Sequence, residues 1–227
     1  MSQVILDFLS RYYFVIIYGI TWFISVYGFK KYFDTSLKYF PIIIAYTFFT
    51  ELLGSLIAYN ENFQLVFGYE ETNHRHIIYY IYHLLFFIFF FHVYWKALTE
   101  KKQKKVIKYG AYLFVFINLT NLLFQNPLTD SLVYPYLFGV IFLIYCTVVY
   151  FIKSFKENSI GILRYSLLFW ISLGLFVFHT IYLPIKIIRE FYSHLYLNFR
   201  QLHLIMIVVM YIIFSIGFIV SKRRAFR

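Results

Sequence analysis

The sequence predicts an all-α polytopic membrane protein, a bundle of seven transmembrane helices. Hydrophobic residues make up 62% of the 227-residue chain, charged residues make up only 14%, and the mean hydropathy is +0.70. A soluble domain of this size cannot bury so much apolar surface. Apolar runs of roughly twenty residues recur along the chain, and a helical run of that length crosses a bilayer. We therefore expect one transmembrane domain over residues 1–227.

Seven apolar segments are the predicted spans, and they lie at about 12–29, 40–59, 76–98, 106–125, 133–153, 162–183 and 202–220. Pro41 and Pro135 fall in the first turns of the second and fifth spans, where a helix tolerates proline because the missing N–H would have no partner there. Pro184 is expected to end the sixth span, since proline inside a helix removes a backbone hydrogen bond.

The connection after the sixth span, Ile185–Gln201, is predicted to be a short amphipathic helix that lies in the outer interface of the membrane. Its apolar and aromatic residues recur at helical spacing, and its charged residues fall largely on other faces. Such a helix is placed to cap whatever opens on that side of the bundle.

Lysine and arginine are unevenly divided between the two sets of connections. With the N-terminus outside, sixteen of the 21 basic residues lie at the cytoplasmic side and five lie outside. Cytoplasmic connections are enriched in these residues, so we expect the N-terminus outside and the C-terminus in the cytoplasm. The net charge of +11 is mostly this bias, and the basic residues border apolar segments, so nucleic acid is not expected as a partner.

The third connection carries a basic patch, which consists of Lys101, Lys102, Lys104 and Lys105. Contact with anionic lipid headgroups accounts for such a patch. Docking of an acidic cytoplasmic protein is the alternative. The expected partners are therefore membrane lipids and a protein in the membrane or at its cytoplasmic face.

Polar side chains inside the spans concentrate in the predicted outer half of the bilayer. At 1.5 Å rise per residue, Glu51 lies roughly 12 Å below the outer boundary, and His83 and Asn118 lie roughly 10 Å below it. A polar stripe that faces lipid leaves its hydrogen-bonding groups unpaired, so these stripes should point inward. The residues predicted to line an outward-facing pocket are Glu51, Tyr79, Tyr80, His83, Asn118, Asn121, His179 and His203.

Glu51 is the strongest single indication of a functional pocket. A charge at mid-bilayer costs about 2.5–3.5 kcal/mol, and intramembrane carboxylates are mostly functional. Glu51 and His83 lie at matching depth on consecutive spans, so we expect them to meet and to titrate as a coupled pair. The alternative for the histidines and asparagines is a purely structural role, as interhelical hydrogen bonds worth about 0.6 kcal/mol each.

Metal-dependent hydrolysis is one enzymatic alternative. The carboxylate and three histidines of the predicted pocket have the ligand count of a zinc site. Seven-span hydrolases of the ceramidase-like families share this topology, but they carry a His-x-x-x-His pair in the last span. The seventh span here holds only His203.

A CAAX-type membrane protease is the other enzymatic alternative. Glu70–Arg75 is similar to the Glu-Glu-x-x-x-Arg pattern of that family, and its two histidine patterns occur at His194–Asn198 and Phe199–His203. Their order is reversed relative to the family. A retinal pigment is excluded, because the seventh span has no lysine to form the Schiff base.

Two segments, TELLGSL in the second span and FWISLGLFVF in the sixth, are the basis of a loose resemblance that extends over the whole chain. On these segments the chain resembles small, uncharacterised seven-span inner-membrane proteins common in Bacteroidetes-type bacteria. The resemblance implies a multi-pass protein of the bacterial inner membrane, and it implies no established activity.

The expected function is therefore non-catalytic. We expect a membrane protein whose outward-facing pocket binds a small molecule or lipid, as a sensor or as the membrane subunit of a larger complex. No cofactor and no metal are expected. The alternatives are an intramembrane hydrolase and a small transporter or proton pathway through Glu51 and His83.

Overall fold

The structure is a computed structural model that describes residues 13–59, 75–127, 132–157 and 160–222. The regular elements of these residues are all helical, as predicted. They are α1 (Tyr13–Tyr27), a 3₁₀ turn (Phe29–Lys31), α2 (Phe40–Tyr59), α3 (Arg75–Ala97), α4 (Lys101–Asn121), α5 (Val133–Glu157), the short α6 (Ile160–Leu163), α7 (Leu167–Phe191) and α8 (Ser193–Val220).

Four segments are long and apolar enough to cross a membrane, which indicates a multi-pass membrane protein. They are Ile77–Ala97, Val133–Glu157, Leu167–Phe191 and Phe199–Val220. Helix α1 and the Phe40–Ser55 part of α2 are apolar but shorter. Each of the seven predicted spans overlaps one long helix, while the count of seven crossings and the orientation of the termini stay predictions.

Six of the long helices form a closed ring. Around this ring α1 packs against α2, α2 against α3, α3 against α5, α5 against α7, α7 against α8, and α8 against α1. Helix α4 lies beside the ring, where it packs against both α3 and α5. Gly139 on α5 permits this close approach, because a Cβ there would lie 2.7 Å from the ring of Phe87 and 3.0 Å from that of Phe114.

One half of the bundle is filled with aromatic side chains, and we call it the closed half. It contains the C-terminal end of α3 and the N-terminal end of α2. The ring of Phe40 contacts Phe90, Phe214 and Phe218 at centroid distances of 5.5–5.8 Å, and all four are almost fully buried. These contacting rings fill the space between α2, α3 and α8 at this level.

Lysines stabilise the helix ends of the closed half. Lys31 Nζ donates to the carbonyl oxygens of Phe218 and Ile219 at 3.0 Å each, near the C-terminus of α8. Lys153 Nζ donates to the Ala97 carbonyl oxygen at 2.7 Å, at the C-terminus of α3. Cations are favourable at these positions because the last carbonyls of a helix are unpaired and carry partial negative charge.

The connection between α1 and α2 is held by a buried tyrosine. The Tyr32 hydroxyl donates to the Ser25 carbonyl oxygen at 2.6 Å, and the side chain is fully buried. Burial raises the pKa of Tyr32, so the phenol stays neutral and keeps its donor.

Two predictions about the sixth connection are wrong. Helix α7 continues through Pro184 to Phe191, and the predicted interfacial helix over Ile185–Gln201 does not exist as a separate element. Its residues extend α7 and α8 instead, with Tyr192 between them. The helix tolerates proline because the loss of one backbone hydrogen bond is offset by packing of the next turn, where Ile185 and Lys186 are buried.

Candidate binding cavity

A cavity of about 500 Å³ occupies the half of the bundle opposite the closed half. Every long helix contributes to its lining: mainly the N-terminal halves of α1, α3 and α5, the C-terminal halves of α2, α4 and α7, and the first two-thirds of α8. The aromatic floor includes Phe87 and Phe114. The wall reaches the surface where Arg189 and Arg200 are exposed.

Glu51 forms the acidic part of the wall on α2. The Tyr79 hydroxyl, on α3, donates to Glu51 Oε2 at 3.0 Å. Gly54 lies one turn after Glu51, and a Cβ there would come within 2.7 Å of the Tyr79 hydroxyl. The absence of a side chain at Gly54 therefore lets the phenol reach across to α2. One turn deeper, the hydroxyls of Thr47 and Tyr82 share a hydrogen bond of 3.3 Å.

Three histidine side chains line the cavity, and each of them packs against aromatic rings. His83 packs edge-on against Tyr136 at 4.7 Å, and His203 stacks on Tyr182 at 4.2 Å between ring centroids. His179 is deepest and lies 5.0 Å from the ring of Phe178. Within the described part of the chain, neither nitrogen of His179 has a hydrogen-bond partner. Burial of such nitrogens without a partner is unfavourable, so this position is a candidate for contact with a bound molecule.

The described residues contain no group of three His, Cys, Asp or Glu side chains that could hold a metal ion. The three histidines stand on α3, α7 and α8 and face aromatic neighbours rather than one another. The geometry of these residues therefore gives no support to the zinc alternative.

A basic part of the wall stands on α7 and α8. Lys186 is buried, its Nζ lies 5.6 Å from the centre of the Tyr136 ring, and it forms an ion pair of 3.8 Å with Glu190. Arg189 and Arg200 line the cavity beside it. A cation over a tyrosine face is attracted by the ring quadrupole. These three residues were not predicted to line the pocket, because their sequence positions assigned them to an external connection.

Most of the residues predicted to line a pocket are in the wall of this one cavity. They are Glu51, Tyr79, Tyr80, His83, Asn118, His179 and His203. Their role in binding stays a prediction. The tyrosines Tyr18, Tyr136, Tyr182 and Tyr211 also line it and were not predicted. They stand one each on α1, α5, α7 and α8, so no spacing pattern in the sequence relates them.

Two details of the predicted pocket are wrong. Asn121 is not among the residues of the cavity wall, because its Nδ2 donates to the Gln125 Oε1 of its own helix at 2.9 Å. Glu51 receives its hydrogen bond from Tyr79 and not from His83, so the predicted pair is not formed. Asn118 does line the cavity, but its Nδ2 also bonds within α4, to the Phe114 carbonyl oxygen at 2.8 Å.

The protease-like pattern falls largely outside the described residues. Glu70 and Glu71 lie in the undescribed connection between α2 and α3, and the described side chains do not include those of Arg75, His194 and Asn198.

The chain was compared with known proteins. No protein-family model, no curated protein and no solved structure matches it.

Proposed function

We propose that the chain is a seven-span, non-catalytic membrane protein that binds a small molecule or lipid in this cavity. It acts as a sensor or as the membrane subunit of a larger complex. The observation that supports this function is a cavity with polar walls and a closed floor inside an otherwise apolar bundle. Binding sites of this volume are typically mostly apolar, with a few polar groups that orient the ligand.

A transporter is the weaker proposal, because transport requires a path through the bundle. Below the cavity the described residues are packed aromatic rings. His92, a polar group towards the other end of α3, is exposed on the outer surface and stacks on Trp95 rather than facing the interior. A cavity that is closed at one end fits a ligand-binding protein better than a transporter.

The orientation proposed from the charge bias places the cavity mouth outside and the closed half at the cytoplasmic face of a bacterial inner membrane. Lys101, Lys102 and Lys105 are exposed at the start of α4, in the closed half, and Lys104 is half-buried there. Lys104 Nζ lies 5.3 Å from the centre of the Trp95 ring. This basic patch is the surface on which we propose that anionic lipid or an acidic partner protein docks.

Native mass spectrometry of the purified protein tests the cavity as a binding site. Ile207 faces the cavity and is buried, whereas Ile205 on the same helix is 50% exposed. We expect Ile207→Trp to reduce bound ligand or lipid, because the indole fills cavity volume, and Ile205→Trp to leave it unchanged. The milder Leu204→Phe, also in the wall, replaces Ile207→Trp if that variant does not fold. Equal binding by the filled and surface variants contradicts the proposed function.

A further inference from the structure

The two charged parts of the cavity wall stand on opposite sides of the ring. Glu51 is on α2, and Lys186 and Arg189 are on α7. Counted in either direction around the six-helix ring, α2 and α7 are three helices apart. Neighbouring helix axes lie about 8–10 Å apart, so opposite axes of a regular ring are on the order of 16–20 Å apart. Side chains extend into this space from both walls and shorten the gap to the length of a small molecule.

The charges are also at comparable depth. Lys186 lies five residues before the end of α7, and Glu51 lies eight residues before the end of α2. At 1.5 Å per residue these positions are roughly 7 and 12 Å from the helix ends. Both ends belong to the half that contains the cavity. A molecule lying across the cavity therefore meets an acidic group on one side and basic groups on the other.

The acidic wall suits a primary ammonium group. A carboxylate offers about four acceptor positions on its two oxygens, and the Tyr79 hydroxyl occupies one of them at Oε2. Glu51 forms no ion pair with any described cation. An ammonium group supplies three N–H donors and the compensating charge.

The basic wall suits a phosphate. The planar fork of an arginine guanidinium binds two phosphate oxygens at once, and a lysine ammonium adds a point charge. Two arginines and a buried lysine from α7 and α8 line this side. Lys186 and Arg189 lie within five residues of the C-terminal end of α7.

A ligand with a single charge is attracted by only one of the two charged parts of the cavity wall. An anion alone is repelled by Glu51, and a cation alone is repelled by the three basic residues. A molecule that carries both charges is attracted by each wall.

We propose that the cavity takes an ammonium–phosphate zwitterion, either the headgroup of an aminophospholipid or the free phosphoamine. The ammonium binds Glu51, and the phosphate binds Lys186, Arg189 and Arg200. Apolar side chains such as Met210 and Phe178 pack against the rest of the molecule. This inference rests on the proposed function, that the cavity is a ligand site.

A titration of the purified protein with two lipids of identical acyl chains tests the proposal. Native mass spectrometry measures the affinity for phosphatidylethanolamine, which carries an ammonium, and for phosphatidylglycerol, which does not. We expect about a tenfold preference for phosphatidylethanolamine, the effect of one hydrogen-bonded charge pair. Soluble phosphoethanolamine, added as a competitor, distinguishes the sources: competition indicates the free phosphoamine chemistry, and binding of the lipid without competition indicates the membrane lipid.

Variants that remove one charge test which part of the cavity wall binds the ammonium group and which binds the phosphate. Glu51→Gln is expected to abolish the preference by weakening only phosphatidylethanolamine, and Arg189→Gln is expected to weaken both lipids to a similar degree. The matched controls are Glu100→Gln and Lys156→Gln, which are exposed and outside the cavity, and they should leave both affinities unchanged.

Two kinds of failure are distinguishable. Equal affinity for both lipids in the unsubstituted protein, or equal weakening of both by Glu51→Gln, overturns the zwitterion. If Ile207→Trp still reduces binding while Ile205→Trp does not, the cavity remains a ligand site of other specificity. If those two tryptophan variants behave alike, the proposed function itself fails.

Discussion

The hydrogen bond between Tyr79 and Glu51 gives a direct stability prediction. Tyr79→Phe removes the only donor that the described residues supply to the Glu51 carboxylate, at 3.0 Å. A hydrogen bond to a charged group is worth about 1.5–3 kcal/mol in soluble proteins. Side-chain hydrogen bonds inside membrane bundles average about 0.6 kcal/mol and reach about 1.7. Because this bond lies in the wall of a cavity that reaches the surface, we expect a coupling of about 1 kcal/mol.

A double-mutant cycle isolates this value. The free energy of unfolding is measured in mixed micelles with increasing sodium dodecyl sulfate for the parent protein, Tyr79→Phe, Glu51→Leu and the double variant. Glu51→Gln should be milder than Glu51→Leu, because its amide oxygen still accepts from Tyr79. Tyr80→Phe is the matched control, since the described residues give the Tyr80 hydroxyl no hydrogen bond. A coupling within error of zero, or an equal loss in Tyr80→Phe, refutes the reasoning.

The remaining predictions concern topology and the deeper polar groups. Cysteines placed at 61–73 should react with a membrane-impermeant thiol reagent in intact cells and cysteines at 101–105 should not, with little background from the buried Cys146; the reverse pattern contradicts the orientation. Asn118→Leu should change the melting temperature little, since its side chain bonds only within its own helix; a loss of more than about 2 kcal/mol would show an essential interhelical role. His179→Leu should raise thermal stability by about 1 kcal/mol by removing two unpaired buried nitrogens, and a lower melting temperature contradicts this.

The helical class and the positions of the long helices could be predicted because bilayer thickness and apolar composition constrain them strongly. The inward orientation of Glu51, His83 and Asn118 followed from the same physics, since a polar side chain that faces lipid is costly. In the structure these residues line the cavity.

One wrong helix boundary explains the largest omission. Pro184 was expected to end a helix, so Lys186 and Arg189 were assigned to a connection, and the basic wall was not predicted. Proline is a strong stop signal in water, but a helix packed among other helices can continue past it. Only tertiary packing decides between these outcomes.

The predicted partner of Glu51, His83, lies one helical turn from the actual partner, Tyr79. Tyr79 and His83 lie four residues apart on α3, which is about 6 Å along the axis. Span boundaries predicted from sequence are uncertain by about 2–4 residues. The sequence therefore predicts that α3 lies opposite Glu51, but it does not determine which of the two residues contacts the carboxylate. Asn121 shows a similar limit, since spacing alone does not reveal that Gln125 satisfies it within the helix.

Helices α7 and α8 are joined by Tyr192 alone, and they pack along one another. At 25 and 28 residues they are rods of roughly 37 and 42 Å. Because a single residue connects them, the C-terminus of α7 and the N-terminus of α8 stay side by side, and neither helix can slide far along the other.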